Sequence, residues 1–329
     1  MKITLIGPGI MPIPPTGWGA VEILVWDTKL ALEKLGHNVQ IINTKDARQI
    51  INEINSFRPD FVHVHYDEFI PIVPFIQYPN AITSHFGYLE RPQMFNGYIN
   101  VANEFMRIKP NIFCLSEGIE KIYNVMFDVP KDKTFITPNG VNIDEFHFVD
   151  DPEFPDRSIY LAKIDHRKRQ HLFQSIDSLW FAGNIADDRF NTSKNYLGEW
   201  SKDRLYNELT EYGNLVLLSD GEAHPLVCME ALVAGLGVVV CEWGKANLDL
   251  DKKFITVIPE NKINDVKYIQ ERVIENREYS VSNREEILDY AKQFEWKKII
   301  ENYYIPNVNK VISQYTDKQQ NKKPVVGIF

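Results

Sequence analysis

The chain has 329 residues, with 45 Asp and Glu against 36 Lys and Arg, for a formal net charge of −9. Its 44% hydrophobic and 25% charged residues are those of a globular protein and exclude global disorder. The acidic balance argues against a nucleic-acid binder, and three cysteines (Cys114, Cys228 and Cys241) are too few for a disulfide scaffold.

In chain order, Lys2–Ile6 reads as a first strand rather than a signal peptide, and residues 20–35 have helical spacing. Residues 39–43 read as a strand, 47–57 as a helix and 60–65 as a strand. Further strands are expected at 81–86 and 111–116, with a helix from Glu117. Residues 149–157 hold four acids and two prolines and read as a linker. The pattern then restarts, with strands at 158–164, 178–183, 214–218, 237–241 and 254–258. A helix is expected at 225–234, another from Trp296 to about Gln314, and a polar tether at 317–323.

Strands alternating with helices predict α/β architecture with parallel sheets covered on both faces. The length predicts about two domains. The reading is two Rossmann-like domains, 1–150 and 151–300, facing an interdomain cleft, with a helix and tail at 301–329 that packs back on the first. In such sheets ligands bind at the carboxyl ends of the strands. No apolar run reaches the roughly 18 residues that span a bilayer. With the sparse cysteines, this leads to the expectation of a cytoplasmic protein, at most peripheral to a membrane.

Two glutamates, Glu222 and Glu230, have seven residues between them, around the start of the helix expected near Pro225. Glu222 falls in a strand-to-helix loop. Glu230 falls on the helix among Cys228, Met229, Ala231 and Leu232, where a carboxylate needs a partner. The helix start offers unpaired backbone N–H groups to an anion or to sugar hydroxyls. The plain alternative makes Glu222 a first-turn acid and Glu230 a solvated one.

Lys163, Arg167, Lys168 and Arg169 concentrate four cations in seven residues. Lys163 ends a strand and Lys168 is expected to open a helix, a spacing that suits a diphosphate. A solvated basic turn is the alternative. The first strand is followed by Gly7, Gly9, Gly17, Trp18 and Gly19. A dinucleotide-binding loop would need glycine where Pro12 stands, so Gly17–Gly19 is the stretch expected to approach a phosphate. His63 and His65 share one strand face, and His85 closes the next strand. A metal pair at His63 and His65 lacks further ligands, so no metal is expected.

Taken together, these residues resemble the family 4 retaining glycosyltransferases of the GT-B fold, along nearly the whole chain. The matching features are Glu222 and Glu230, Lys163 and Lys168, Gly17-Trp18-Gly19 followed by Glu22, the 60–65 strand with its two histidines, His85, and the Asn139-Gly140-Val141 turn. The resemblance implies a metal-independent enzyme without a cofactor, which moves a sugar from a nucleoside-diphosphate sugar to a hydroxyl. It implies that Lys163 and Lys168 bind the diphosphate beside Arg167, and that Glu230 holds the ribose hydroxyls. Glu222 would meet the donor sugar with the backbone of Ala223, His224, Pro225 and Leu226. Gly17, Trp18 and Gly19 would close on the phosphates, and His85 would touch the donor sugar or the acceptor. The acceptor is left open among a saccharide, a lipid-linked saccharide, a small metabolite and a modified base. The sequence departs from the family at His224, where glycine is usual. The readings weighed against this one are a non-catalytic nucleotide-sugar-binding protein and a dinucleotide-dependent oxidoreductase.

Overall fold

A computed structural model describes residues 1–16 and 19–321. The chain divides into two units, one of residues 1–138 together with the segment from Trp296 on, the other of residues 139–295.

The first unit alternates strand and helix: β1 (Lys2–Ile6), α1 (Ala20–Lys34), β2 (Asn38–Ile42), α2 (Ala47–Phe57), β3 (Phe61–Val64), β4 (Asn80–Ile82), α3 (Tyr98–Ile108), β5 (Ile112–Cys114), α4 (Glu117–Val125) and β6 (Thr134–Ile136). Side chains cap the helices where the sequence supplies them. Asp46 accepts from the N–H groups of Arg48 and Gln49 at 2.8 and 3.1 Å, and Ser116 accepts from Ile119 at 3.3 Å. Between β3 and β4, residues Asp67–Phe75 form a 3₁₀ segment. Pro71 and Pro74 lie inside it and remove the N–H groups an α-helix would need.

The second unit holds β7 (Phe154–Leu161), β8 (Leu179–Ala182), α5 (Lys202–Glu208), β9 (Tyr212–Leu217), α6 (Leu226–Val233), β10 (Gly237–Cys241), β11 (Ile255–Ile258), α7 (Val266–Ser282) and α8 (Arg284–Ala291). Residues 154–157, expected as linker, instead open β7, where Phe154 pairs with Tyr212. Arg157 explains the order of this acidic stretch, because its guanidinium lies 4.3 Å from the Phe154 ring and 4.7 Å from the Trp180 ring. Every residue of β9 and β10 is buried, as expected of a parallel sheet covered on both faces. Arg284 is buried too. It donates to the carbonyls of Thr210 at 2.6 Å and Ala234 at 3.1 Å, so its charge serves as a strut for loop backbone.

Both sheets are parallel throughout. The first runs β2-β1-β3-β4-β5-β6 and the second β11-β10-β9-β7-β8. Counted within each unit, both follow the order 2-1-3-4-5, and the first adds a sixth strand. Strand order therefore reverses between β1 and β3, and again between β7 and β9. These are the positions where a doubly wound sheet opens a crevice for ligands.

The chain ends in α9 (Trp296–Ile299), a π-helical turn at Ile300–Tyr304, and α10 (Ile305–Asn321). Pro306 lacks the N–H that an unbroken α-ladder requires, and the turn widens there, with Ile305 N–H bonded to Ile300 O. Asn307 donates to Ile136 O at 2.8 Å, and Tyr315 donates to Gln77 O at 2.8 Å. The polar tether expected at 317–323 is helical through Asn321, and its remaining residues lie outside the described ones. No described helix is long and apolar enough to cross a membrane.

Candidate functional site

The basic turn lies at the reversal point of the second sheet, directly after β7. Gly183, at the end of the neighbouring β8, has φ +149°, and a Cβ there would fall 1.9 Å from Ala162 O. Only glycine lets the two strand ends approach this closely. Asp165 then caps the turn, with its carboxylate 3.0 Å from Lys168 N. The helix expected from Lys168 is replaced by two short 3₁₀ turns, His166–Lys168 and Gln170–Leu172. Arg169, in the left-handed region at φ 59°, separates them and forbids a continuous helix.

Glu222 lies in the loop after β9, the other strand of the reversal point. Lys168 Nζ donates to Glu222 Oε1, and Arg167 Nη1 lies 3.2 Å from the same oxygen. Arg167 also donates to Gly221 O at 2.7 Å, while Asp220 N–H donates to Arg167 O at 2.7 Å. Tyr160 joins the two loops from below. Its hydroxyl donates to Lys168 O and accepts from Leu218 N–H at 3.0 Å. Burial alone would push the Glu222 carboxyl up, but the charges of Lys168 and Arg167 more than offset it and hold it below the ordinary range. Lys163 is exposed, and no carboxylate pairs with its ammonium among the described residues.

On its far side the basic turn meets a second ionic cluster. The Asp187 carboxylate accepts from Arg189 Nε at 2.8 Å and Nη2 at 2.6 Å, and it lies 3.3 Å from His171. Arg189 also reaches His166 Nδ1 at 2.7 Å. The bonds from Arg189 draw the Asp187 carboxyl down to about 2. The turn that carries Arg167 and Lys168 is thus held from the β9 loop on one side and the β8 loop on the other.

Residues 223–225 are buried, and so is α6 from Cys228 on. Ala223 and His224 are buried, Pro225 is the N-cap and Leu226 is the first helical residue. His224, which stands where the family usually has glycine, ties loops together. Its Nδ1 accepts from Asn139 N–H at 3.3 Å, and its Nε2 lies 3.2 Å from the Asn247 amide. Glu230 is 5% exposed, and Lys202 donates to its Oε1 at 2.7 Å. Sequence reasoning asked for a partner to Glu230 but could not find it, because Lys202 opens a different helix. Asp165, Tyr160 and Asp187 were missed for the same reason, since their roles depend on loops that meet only in the fold.

The remaining expected residues belong to the first unit. Gly17 and Trp18 lie outside the described residues, and Gly19 is the N-cap of α1. The preceding loop is held by Asn43, whose Oδ1 accepts from Gly9 N–H at 2.8 Å and whose amide donates to Met11 O at 2.9 Å. Glu22 is buried and accepts from Met11 N–H at 3.2 Å.

His85 follows β4 and is stacked on His65, with ring centroids 5.8 Å apart and planes at 11°. His65 in turn lies 3.8 Å from His63, centroid to centroid. A chain of hydrogen bonds fixes the proton of His63. Thr83 gives its hydroxyl hydrogen to Phe113 O at 3.0 Å, so it accepts from His63 Nε2, 2.8 Å away, and Tyr304 donates to His63 Nδ1 at 3.2 Å. Both ring nitrogens of His65 and Nε2 of His85 are buried without a partner among the described residues. Burial holds all three rings neutral, with His63 lowered to about 3, His85 to about 4 and His65 well below the ordinary value. Among the described residues, no three His, Cys, Asp or Glu side chains form a metal-ligand group.

No protein-family model matches the chain, and no curated protein matches it. Solved structures do. Sucrose-phosphate synthase from Thermosynechococcus elongatus aligns with a TM-score of 0.71 at 14% identity, covering 98% of this chain and 100% of that one. AviGT4, a glycosyltransferase involved in avilamycin A biosynthesis, aligns with a TM-score of 0.68 at 15% identity over 95% and 98% of the two chains. HepE from Anabaena in complex with UDP-glucose aligns with a TM-score of 0.66 at 13% identity over 98% and 100%. At such identities the likeness speaks for the fold. Two all-parallel α/β units, matched along nearly their whole length to these structures, give the protein the GT-B fold.

Proposed function

We propose that the protein is a glycosyltransferase that moves a sugar from a nucleoside-diphosphate sugar to a hydroxyl acceptor, with retention of configuration and without a metal ion. The observation that carries this reading is the basic turn at the reversal point of the second sheet, where Arg167 and Lys168 meet the Glu222 carboxylate and Lys163 stands exposed four residues before Arg167. A diphosphate needs cations gathered at one place, and this turn brings three to the strand ends where such sheets bind ligands. The fold neighbours lend support, since HepE is described in complex with UDP-glucose and AviGT4 is a glycosyltransferase.

In this reading Lys163 and Lys168, beside Arg167, bind the diphosphate and neutralise the charge that grows on it as it leaves. Glu222 meets the donor sugar once Lys168 is shared with phosphate. The backbone N–H groups of Ala223, His224 and Leu226 assist. Pro225 has none, so its part is to end the loop. Glu230 accepts from the ribose hydroxyls. Gly17, Trp18, Gly19 and His85 keep, in this reading, the roles that the resemblance implies. The bond from the anomeric carbon to the phosphate oxygen breaks as a bond to the acceptor oxygen forms on the same face. The acceptor proton passes to the departing phosphate. The protein's task is to position the partners and stabilise the leaving charge.

The test is slow hydrolysis of UDP-, GDP- and ADP-sugars, followed by nucleotide release and by NMR of the anomeric proton. We expect one donor to be consumed, equally in EDTA, with the sugar first appearing in the donor's configuration. Activity that EDTA abolishes and magnesium restores, an inverted product, or no release from any donor would contradict the proposal.

A further inference from the structure

Buried Glu230 pairs with partly exposed Lys202, a partner that the nucleotide reading leaves unexplained. Glu230 sits one turn into α6, which starts from the loop that carries Glu222. Its Oε1 is taken by Lys202 at 2.7 Å. Lys202 is the first residue of α5, fixed there by the Ser201 cap, which accepts from Arg204 N–H at 3.1 Å. Its ammonium lies 5.6 Å from the Tyr206 ring, and about a quarter of the side chain remains exposed. Glu230 is thus buried, while its cation is partly exposed.

A hydroxyl is both a donor and an acceptor. A carboxylate alone satisfies only the donor half. A carboxylate with an ammonium on one oxygen can take the hydroxyl hydrogen on the other oxygen and give an N–H to the hydroxyl oxygen. We propose that Lys202 is a specificity-determining residue, which with Glu230 reads a ribose hydroxyl of the bound nucleotide from both sides and so rejects deoxynucleotides. This inference rests on the proposed role of Glu230 and adds to it a second partner for the same hydroxyl.

A site built to pair with a hydroxyl leaves its desolvated donor and acceptor unmatched when that hydroxyl is missing, and discrimination then rises to roughly 100-fold or more. The experiment is calorimetric binding of UDP, ADP and GDP to the full chain, followed by the 2′-deoxy and 3′-deoxy forms of the tightest binder. We expect the wild type to prefer the ribonucleotide over one deoxy form by about 100-fold, Lys202→Met to cut that ratio to about 10-fold, and Lys202→Arg to keep it. A merely structural ion pair would weaken both nucleotides alike and leave the ratio unchanged, which would overturn the inference. Lys202→Ser, too short to reach the hydroxyl and able to leave a water on Glu230, gives the same reading should Lys202→Met fail to fold. Glu230→Gln separates the two levels. A ratio lost in Glu230→Gln but kept in Lys202→Met sinks the role of Lys202 alone. A ratio kept in Glu230→Gln sinks the role of Glu230 and this inference with it. No binding of any diphosphate to the wild type overturns the proposed function as well.

Discussion

Replacing Lys168 by Met is expected to lower the melting temperature of the ligand-free protein and to weaken donor binding by about 100- to 1,000-fold. Adding Glu222→Gln should restore the melting temperature without restoring the activity. The reason lies in the pairing of Lys168 with Glu222. Removing one partner of a buried ion pair costs about 3–5 kcal/mol, because the other charge stays buried. Here Arg167, 3.2 Å from the same oxygen, holds the loss toward the lower end. Neutralising Glu222 as well removes the stranded charge, so the fold recovers. The diphosphate still lacks its cation, so turnover does not. Thermal melts of the two variants, alongside donor titrations, check this. A double variant that regains activity together with stability would make Lys168 a structural lysine only.

The second large effect is a loss of stability in mild acid, driven by His63, His65 and His85. Each has a native value far below the ordinary 6.5, about 3 for His63 and about 4 for His85, with His65 also well below it. The unfolded chain therefore takes up three protons near pH 6.5 that the native chain refuses. The neutral stack contributes its full stability above pH 6.5 and loses it as the pH falls toward 4. Three protons correspond to a slope of ~4 kcal/mol per pH unit. Asp67, whose carboxyl burial pushes up, works in the opposite direction and softens the slope. His65→Phe should remove about a third of the slope and leave the variant more stable than the wild type at pH 5.5. Its ring fills the stack without the two unpaired nitrogens. Urea unfolding between pH 7 and 4.5 measures this, and a flat profile in the wild type would contradict it.

The fold was legible where local pattern and tertiary demand agree. Gly237–Cys241 was read to the residue, because a buried parallel strand is a run of β-branched residues with nothing else to resemble. The linker expected at 149–157 was half wrong, since acids and prolines gave no sign that Arg157 would be sandwiched by Phe154 and Trp180. The helix expected at Lys168 failed on Arg169, whose left-handed backbone no residue-type rule foretells.

The candidate site follows the same division. Lys163, Arg167, Lys168 and Glu222 stood out by spacing and charge, and the sheet order brings their loops to one point. Lys202 gave no signal at all, because it meets Glu230 from a helix 28 positions away. His224, conspicuous in the sequence, is committed to Asn139 and Asn247. Its bulk holds loops together.

The central claim is that the basic turn of the second unit binds a nucleoside diphosphate. The direct measurement is the melting temperature of the full chain against a panel of nucleoside diphosphates and their sugars, because a ligand that binds only the native state stabilises it by an amount that grows with the logarithm of ligand concentration over Kd. The account predicts a dose-dependent rise with at least one member of the panel, lost in the Lys168→Met and Glu222→Gln double variant, whose fold is intact. No rise with any member, or an equal rise in the double variant, would contradict it.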